Sequence, residues 1–379
     1  MNLALFFTYR ISLKDWIEQG VLEREKLLYE RLLDNKAVSA VYWFTYGAGD
    51  GMLANELHKN GKISNKIIVV PMPRLLNGWP GCLIYTIAMP FIHKIVLNGC
   101  DILKTNQVRG SIAAFVAKVV FKKKLLARCG YLPSQLRKAQ KRWFWAITLG
   151  YSETVLFRHC DIAMVTSGEQ RNFLINKQHI DPLKIAVVPN YVNTQQFYNR
   201  AAEKEENGIL YVGRISPEKN LYSLCDALHG TDMVLHVYGR DMMSGTLAKF
   251  VARHNNEVEL KGVVDSAKLP FIYSSFMYYA IVSYHEGMPK SLLEAMACGC
   301  VCIGTNVPGI KEIIKDGING YLACGTGKDA IREAIMRARE SDNTELVKEA
   351  AAFVRDNFSL EMVVDKERMV IQKLAGISK

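Results

Sequence analysis

Between Asp101 and Glu153 the chain has no acidic residue, although eleven Lys and Arg fall between Lys104 and Arg142. The imbalance belongs to one half of the sequence. Residues 1–199 carry 26 basic and 13 acidic residues, and the remainder carries 22 and 24. The formal charge of +11 therefore comes from the first half. Such a block attracts phosphate, whether on nucleic acid, an anionic membrane or an anionic substrate. Nothing else in the chain resembles a nucleic-acid module, so nucleic acid is not an expected partner. Metal-ligand spacing is also missing from the nine cysteines. Cys298, Cys300 and Cys302 alternate through a helix end and the strand after it, and make no CxxC knuckle. Small, reduced core residues are expected, which fits a cytosolic protein. Long apolar runs are scarce. "WPGCLIYTIAMPFIHKIVLNG" (79–99) is interrupted by Pro80, Pro90, His93 and Lys94, so a buried helix is expected and not a span. "MNLALFFTYR" is too short an apolar run for a signal peptide and reads as a first strand. "YGAGDG" (46–51) lacks the full dinucleotide spacing, has no clear helix after it, and reads as a turn. Internal repeats and low-complexity tracts are absent.

What remains is globular and α/β. At 379 residues two domains are the natural division. Short apolar, β-branched runs alternate with helical patterns, the mark of βαβ units and parallel sheets. Strands are expected near 2–8, 38–45, 67–70, 101–105, 124–129, 161–165 and 184–189. A second set is expected near 208–212, 234–238, 258–261, 278–283 and 301–304. The polar stretch 193–207 reads as a linker. An amphipathic run from 359 reads as a helix that crosses back to the first domain. Two such domains place a ligand in the crevice between them, beyond the carboxyl ends of the strands.

"HEGMPKSLLEAMACG" (285–299) sets Glu286 and Glu294 at the two ends of an apolar stretch. A buried carboxylate is costly unless it is paired or hydrogen-bonded. Gly287 and Pro289 suit a turn and a first helical position, and Gly299 suits a stop. In "GILYVGRISPEKNLYSL" a strand ends at Gly213, Arg214 follows, and Ser216-Pro217 reads as a helix start. Lys219 then falls in a first turn, where the helix dipole disfavours a cation by about 0.3–1 kcal/mol. Lys290 repeats the oddity. Two helix N-termini, each with a lysine, suit a diphosphate. Glu286 and Glu294 then suit the hydroxyls on either side of it, since one carboxylate accepts from both members of a vicinal diol. The plainer alternatives are solvated residues at a turn, a helix-capping Glu286 and a surface Glu294.

"YVGRISPEKN", "SYHEGMPKSLLEAMACG" and "VPGIKEIIKDGINGYL" resemble the second domain of retaining GT-B glycosyltransferases of glycosyltransferase family 4. Glu286 and Glu294 match that family's Glu-x7-Glu motif. The resemblance is dense from about 207 to 323. It is weaker in the first half, in "GVLEREKLLYERLL" and "VTSGEQRNFL…VVPNYVNTQQF". It implies that Arg214 and Lys219 bind the donor diphosphate, that Glu294 holds the ribose, and that Glu286 contacts the donor sugar. Gly287, Met288, Pro289, Lys290 and Ser291 would complete the donor site, with Gly20 in a loop that closes over it. One departure concerns the acceptor side. Many members carry a histidine after the fifth strand, whereas here the region reads "LLARCGYLPS", leaving Arg128, Cys129 and Gly130. A Cys129 nucleophile is conceivable, since basic neighbours lower a thiol pKa, but the family uses none. With no Asp-x-Asp motif, neither a metal nor another cofactor is implied.

The expectation is therefore an α/β protein of GT-B fold, two Rossmann-like doubly wound parallel-sheet domains facing a central cleft. The first domain is 1–192, the linker 193–207, the second domain 208–358, and helix 359–379 crosses back. The expected activity is retaining transfer of a sugar from a UDP- or GDP-linked donor to a glycan or lipid-linked acceptor in cell-surface polysaccharide or glycolipid synthesis. Base recognition is expected near Leu260–Val264. The basic block 118–142, with Trp143 and Trp145 beyond it, leaves open a membrane surface, an anionic acceptor site or a solvated face. Peripheral association with an anionic membrane, at its cytoplasmic face, is favoured. Two other readings keep the fold: a nucleotide-sugar epimerase or hydrolase, and a non-catalytic nucleotide-sugar-binding subunit.

Overall fold

The computed structural model describes residues 1–139, 142–200, 203–252 and 258–376. The basic block, the expected linker and the expected last helix each include positions outside these, at 140–141, 201–202 and 377–379.

Seven apolar segments form a first sheet: β1 Asn2–Phe6, β2 Ala40–Phe44, β3 Ile67–Val70, β4 Ile102–Thr105, β5 Lys124–Cys129, β6 Ile162–Val165 and β7 Ile185–Val187. All are parallel, in the order β3-β2-β1-β4-β5-β6-β7. The second sheet holds β8 Glu205–Val212, β9 Val234–Tyr238, β10 Val258–Gly262, β11 Phe276–Ile281, β12 Val301–Thr305 and β13 Tyr321–Ala323. Its order is β10-β9-β8-β11-β12-β13, again parallel. β8 starts inside the stretch expected as linker. β13 is three residues long, too short to show a period, and the sequence gives no sign of it. Helices cover both faces of each sheet, which is why most strands read as continuous apolar runs. Strand order reverses between β1 and β4, and between β8 and β11, which opens a crevice at the carboxyl ends of each sheet.

One face of the first sheet packs on helices Leu13–Glu18, Leu22–Asp34 and Asp50–Lys59. The last helix, Leu360–Leu374, joins them and sets Leu360, Val363, Val364 and Ile371 in the same core. Its Glu367 is fully buried, paired with Lys104 of β4 and 3.5 Å from Arg128 of β5. Outgoing and returning chains meet where Val192 N donates to Phe358 O at 2.9 Å and Leu360 N to Val192 O at 3.0 Å.

The opposite face carries helices Trp79–Ile92, Lys94–Asn98, Ser111–Phe121, Trp143–His159 and Gly168–Gln178. Stretch 79–99 is thus two helices, and the expected burial holds for one side alone. Cys82, Tyr85 and Met89 are buried, while Leu83, Ile84, Ile87 and Phe91 are exposed, because the sheet contacts a single helix face. The "YGAGDG" turn leads into helix Asp50–Lys59, which the sequence did not signal. Buried Asp50 accepts from Leu13 N at 2.8 Å, and burial pushes its carboxyl up. Eight cysteines are buried, Cys324 is exposed, and none forms a disulfide. The basic block is not one basic helix. Strand β5 runs through it with Leu125, Leu126 and Ala127 in the core. Lys118 and Lys124 both pair with Asp161, and Lys123 donates to Asn98 O at 2.9 Å.

Candidate active site

The two crevices face each other across a cleft of about 1530 Å³. Of the thirteen residues singled out in the sequence, all but Cys129 line it. On the second-domain wall, Pro217–Lys219 is a single 3-10 turn, and the α-helix begins at Leu221. Lys219 therefore stands just ahead of the helix instead of in its first turn. Its place is set by Glu286. Lys219 Nζ donates to Glu286 Oε1 at 2.5 Å, and Ser283 Oγ donates to the same oxygen at 2.6 Å. Glu286 thus anchors a cation and does not cap a helix. Arg214, just past the end of β8, is more exposed, 3.9 Å from Glu218, and its carbonyl accepts from Tyr211 Oη at 2.8 Å.

Two glycines hold the Glu286 loop in place. A Cβ at Gly309, where φ is +80°, would lie 2.4 Å from Gly287 O and 2.7 Å from Glu286 O. A Cβ at Gly287 would lie 2.6 Å from Gly130 O in the first domain. The helix after the loop runs Lys290–Ala297, with Pro289 as its cap, so Pro289 precedes the first helical position instead of filling it. Its first-turn amides have no partner inside the helix. Ser291 Oγ accepts from Tyr279 Oη at 2.8 Å. Glu294, in the second turn, is buried and accepts from Tyr273 Oη at 3.1 Å; burial pushes its carboxyl up.

Lys290 and Glu25 tie this helix to the first domain across 3.2 Å, with Lys290 Nζ 5.3 Å from the centre of the Tyr191 ring. Burial pulls the Lys290 ammonium down to about 8. Burial also pushes Glu25 up, but Lys290 and Arg24 outweigh it and hold that carboxyl at about 2. A second tie runs through Arg128, whose guanidinium reaches Glu367 and, at 3.3 Å, Asn190 Oδ1. Asn190 Nδ2 then donates to Met288 O at 2.8 Å. Glu312 makes a third by accepting from Gly168 N at 2.9 Å and Glu169 N at 3.3 Å, at the start of a first-domain helix.

On the first-domain wall, Gly130 N donates to Gln107 Oε1 at 2.9 Å, and Gly130 O accepts from Thr166 and Gln170. Cys129 is fully buried and its Sγ donates to Tyr131 O at 3.0 Å. Burial drives its thiol far up, so it is no nucleophile. Gly20 lies in the turn between Leu13–Glu18 and Leu22–Asp34, one helix later than a loop directly after β1. Further lining residues had not been singled out: Arg24, Arg109, Arg142, Asn190 and His285. Arg24 and Asn190 stand within stretches that already resembled the family, and His285 adjoins Glu286. Burial lowers the His285 imidazole. Arg109 and Arg142 come from separate loops that no spacing rule gathers. Near the expected base region, the lining residues are Asp265, Ser266 and Ala267. Among the described residues, no three or more His, Cys, Asp or Glu gather as a metal site.

Residues 193–354 match the family model described as glycosyl transferases group 1. The whole chain superposes on sucrose-phosphate synthase from Thermosynechococcus elongatus with a TM-score of 0.77 and 19% identity, covering 100% of both chains. The chain has the GT-B fold. It is 23% identical over 296 residues to an uncharacterized glycosyltransferase of Methanocaldococcus jannaschii, covering 72% of this chain and 74% of that protein. It is also 25% identical over 219 residues to the UDP-Gal:alpha-D-GlcNAc-diphosphoundecaprenol alpha-1,3-galactosyltransferase of Escherichia coli. That match spans 52% of this chain and 57% of the E. coli enzyme. The family match holds Arg214, Lys219, Glu286 and Glu294, while Arg24, Arg109, Arg128 and Arg142 lie outside it.

Proposed function

We propose that the protein is a retaining glycosyltransferase of the family 4 kind, moving a sugar from a UDP- or GDP-linked donor to a glycan or lipid-linked acceptor in cell-surface polysaccharide or glycolipid synthesis. It would work as a peripheral protein at the cytoplasmic face of a membrane. The observation that carries this reading is the Lys219–Glu286 pair set beside the N-terminus of helix Lys290–Ala297, with Glu294 buried one turn further on.

An ammonium has three donors. One Lys219 donor goes to Glu286, leaving two for phosphate oxygens, with Arg214 and the first-turn amides as further donors. Both contacts to Glu286 fall on Oε1, which leaves Oε2 to accept from a sugar hydroxyl. Glu294 accepts from Tyr273 on Oε2, which leaves Oε1 for the ribose. In the reaction the bond from the anomeric carbon to the diphosphate oxygen breaks, and the electron pair leaves with the diphosphate. The acceptor oxygen bonds to the anomeric carbon on the same face, and its proton passes to the departing phosphate oxygen. Arg214, Lys219 and the amides stabilise the charge that develops, so this scheme requires no metal. Arg109 and Arg142 on the opposite wall suit an anionic acceptor. The name of the E. coli relative, whose acceptor is a lipid diphosphate, supports the lipid-linked choice.

The test incubates the protein with UDP- and GDP-sugars and candidate acceptors, and reads the new linkage by NMR. An α-linked donor should give an α-linked product. A β-linked product would contradict retention, and acceptor-independent donor loss would favour an epimerase or hydrolase.

A further inference from the structure

More than half of the exposed large apolar side chains among the described residues lie between Leu75 and Tyr151. They concentrate on one layer, the helices on one face of the first sheet. In Trp79–Ile92 the outward stripe is Leu83, Ile84, Ile87 and Phe91, spaced as one helix face. A surface helix ordinarily turns polar residues that way. Ile87 is 61% exposed and Ile95, in the next helix, 82%. The neighbouring helix Ser111–Phe121 adds Ile112, Val119 and Val120, and Trp143–His159 adds Trp143, Phe144 and Ile147. Exposed apolar side chains gathered on one layer in this way mark an interaction site. The described helices include none long and apolar enough to cross a membrane.

Charge selects the partner. Residues 57–152, which contain all of this surface, hold sixteen Lys and Arg against one acidic residue, Asp101. Cations flank the stripes at both ends. Arg109 and Arg142 precede two of the helices on the cleft side, and Lys94 and Lys122 follow the stripes at the far end. Apolar and aromatic side chains bordered by cations suit the boundary of an anionic bilayer.

We propose that the outer face of helices Trp79–Ile92, Ser111–Phe121 and the start of Trp143–His159 docks on an anionic lipid bilayer. The site deepens the membrane reading above and moves it from the basic block to this apolar face. Trp145 and Leu149 of the third helix line the cleft, so this helix borders the cleft on one side and carries part of the docking face on another. A lipid-linked acceptor held in the bilayer would enter there without leaving the lipid surface.

The experiment is co-sedimentation of the full chain with phosphatidylglycerol–phosphatidylcholine vesicles and with phosphatidylcholine alone, alongside sedimentation velocity without lipid. The variants are Ile87→Glu with Phe91→Glu, and separately Lys94→Glu with Lys122→Glu. Wild type should bind the anionic vesicles, and each pair of substitutions should weaken binding by roughly tenfold or more. Stabilisation by UDP or GDP should be unchanged in both variants, which also shows that they fold. Wild type left in the supernatant with anionic vesicles overturns the proposal, as does binding indifferent to the substitutions. A lipid-free dimer that Ile87→Glu with Phe91→Glu dissolves would assign the face to a second copy and overturn it too. Docking without any nucleotide stabilisation would instead fault the donor site and leave the docking face standing.

Discussion

Lys290 shows how much depends on one side chain. It opens the helix at the proposed phosphate site and reaches across the cleft to Glu25. Its ammonium is held near 8, well below the roughly 10.4 of a free lysine. As pH rises through about 8 the folded protein loses this cation, and with it both the Glu25 pair and a charge beside the proposed donor site. A plot of kcat/KM against pH should therefore fall above about 8 in the wild type and stay level in Lys290→Arg, which keeps its charge. Identical profiles would show that Lys290 is not the group responsible. Unfolding at this group does not mimic the effect. Between about 8 and 10.4 the unfolded chain binds more protons than the folded one, so this lysine's contribution to stability rises with pH there.

At the scale of elements, helix Leu360–Leu374 does more than cover the first domain. Glu367 neutralises Lys104 and meets Arg128, which leads through Asn190 to Met288 in the loop that follows Glu286. Glu367→Ala strands buried cations and should cost about 3–5 kcal/mol in urea unfolding. A loss under about 1 kcal/mol would show that the cluster relaxes or hydrates without it. Elements of this kind divide what the sequence can tell. Most of the strands were legible because each is a short apolar run between polar turns, and the Glu286–Glu294 stretch was legible because its carboxylates bracket an apolar helix. The pairing of Lys219 with Glu286, and of Lys290 with Glu25, was not legible. Each joins residues far apart in the chain, and long-range ion pairs leave no local pattern. The sequence marks Lys219 by its place near a helix start and by the resemblance, but not by Glu286, the partner 67 residues away that fixes it. The outer stripe of Trp79–Ile92 was misjudged because the helix is apolar nearly all round, so composition alone could not tell its buried side from its exposed one.

For the whole molecule, two parallel sheets present their switch points to one cleft, and three ties cross it: Lys290 to Glu25, Asn190 to Met288, and Glu312 to the start of helix Gly168–Gln178. The second domain supplies the cations and carboxylates of the proposed donor site, and the first supplies a basic wall and, on one of its helix layers, an exposed apolar face. The proposed donor site requires that a nucleoside diphosphate bind through Lys219 at the Glu286 loop. The most direct measurement is thermal unfolding of wild type and Lys219→Ala with UDP, GDP, dTDP and their sugar conjugates. A ligand present at about 100 times its Kd adds about 2.7 kcal/mol of stability. The prediction is that UDP or GDP stabilises the wild type and has little effect on Lys219→Ala. Equal stabilisation of both proteins, or none of either by any nucleotide, would contradict it.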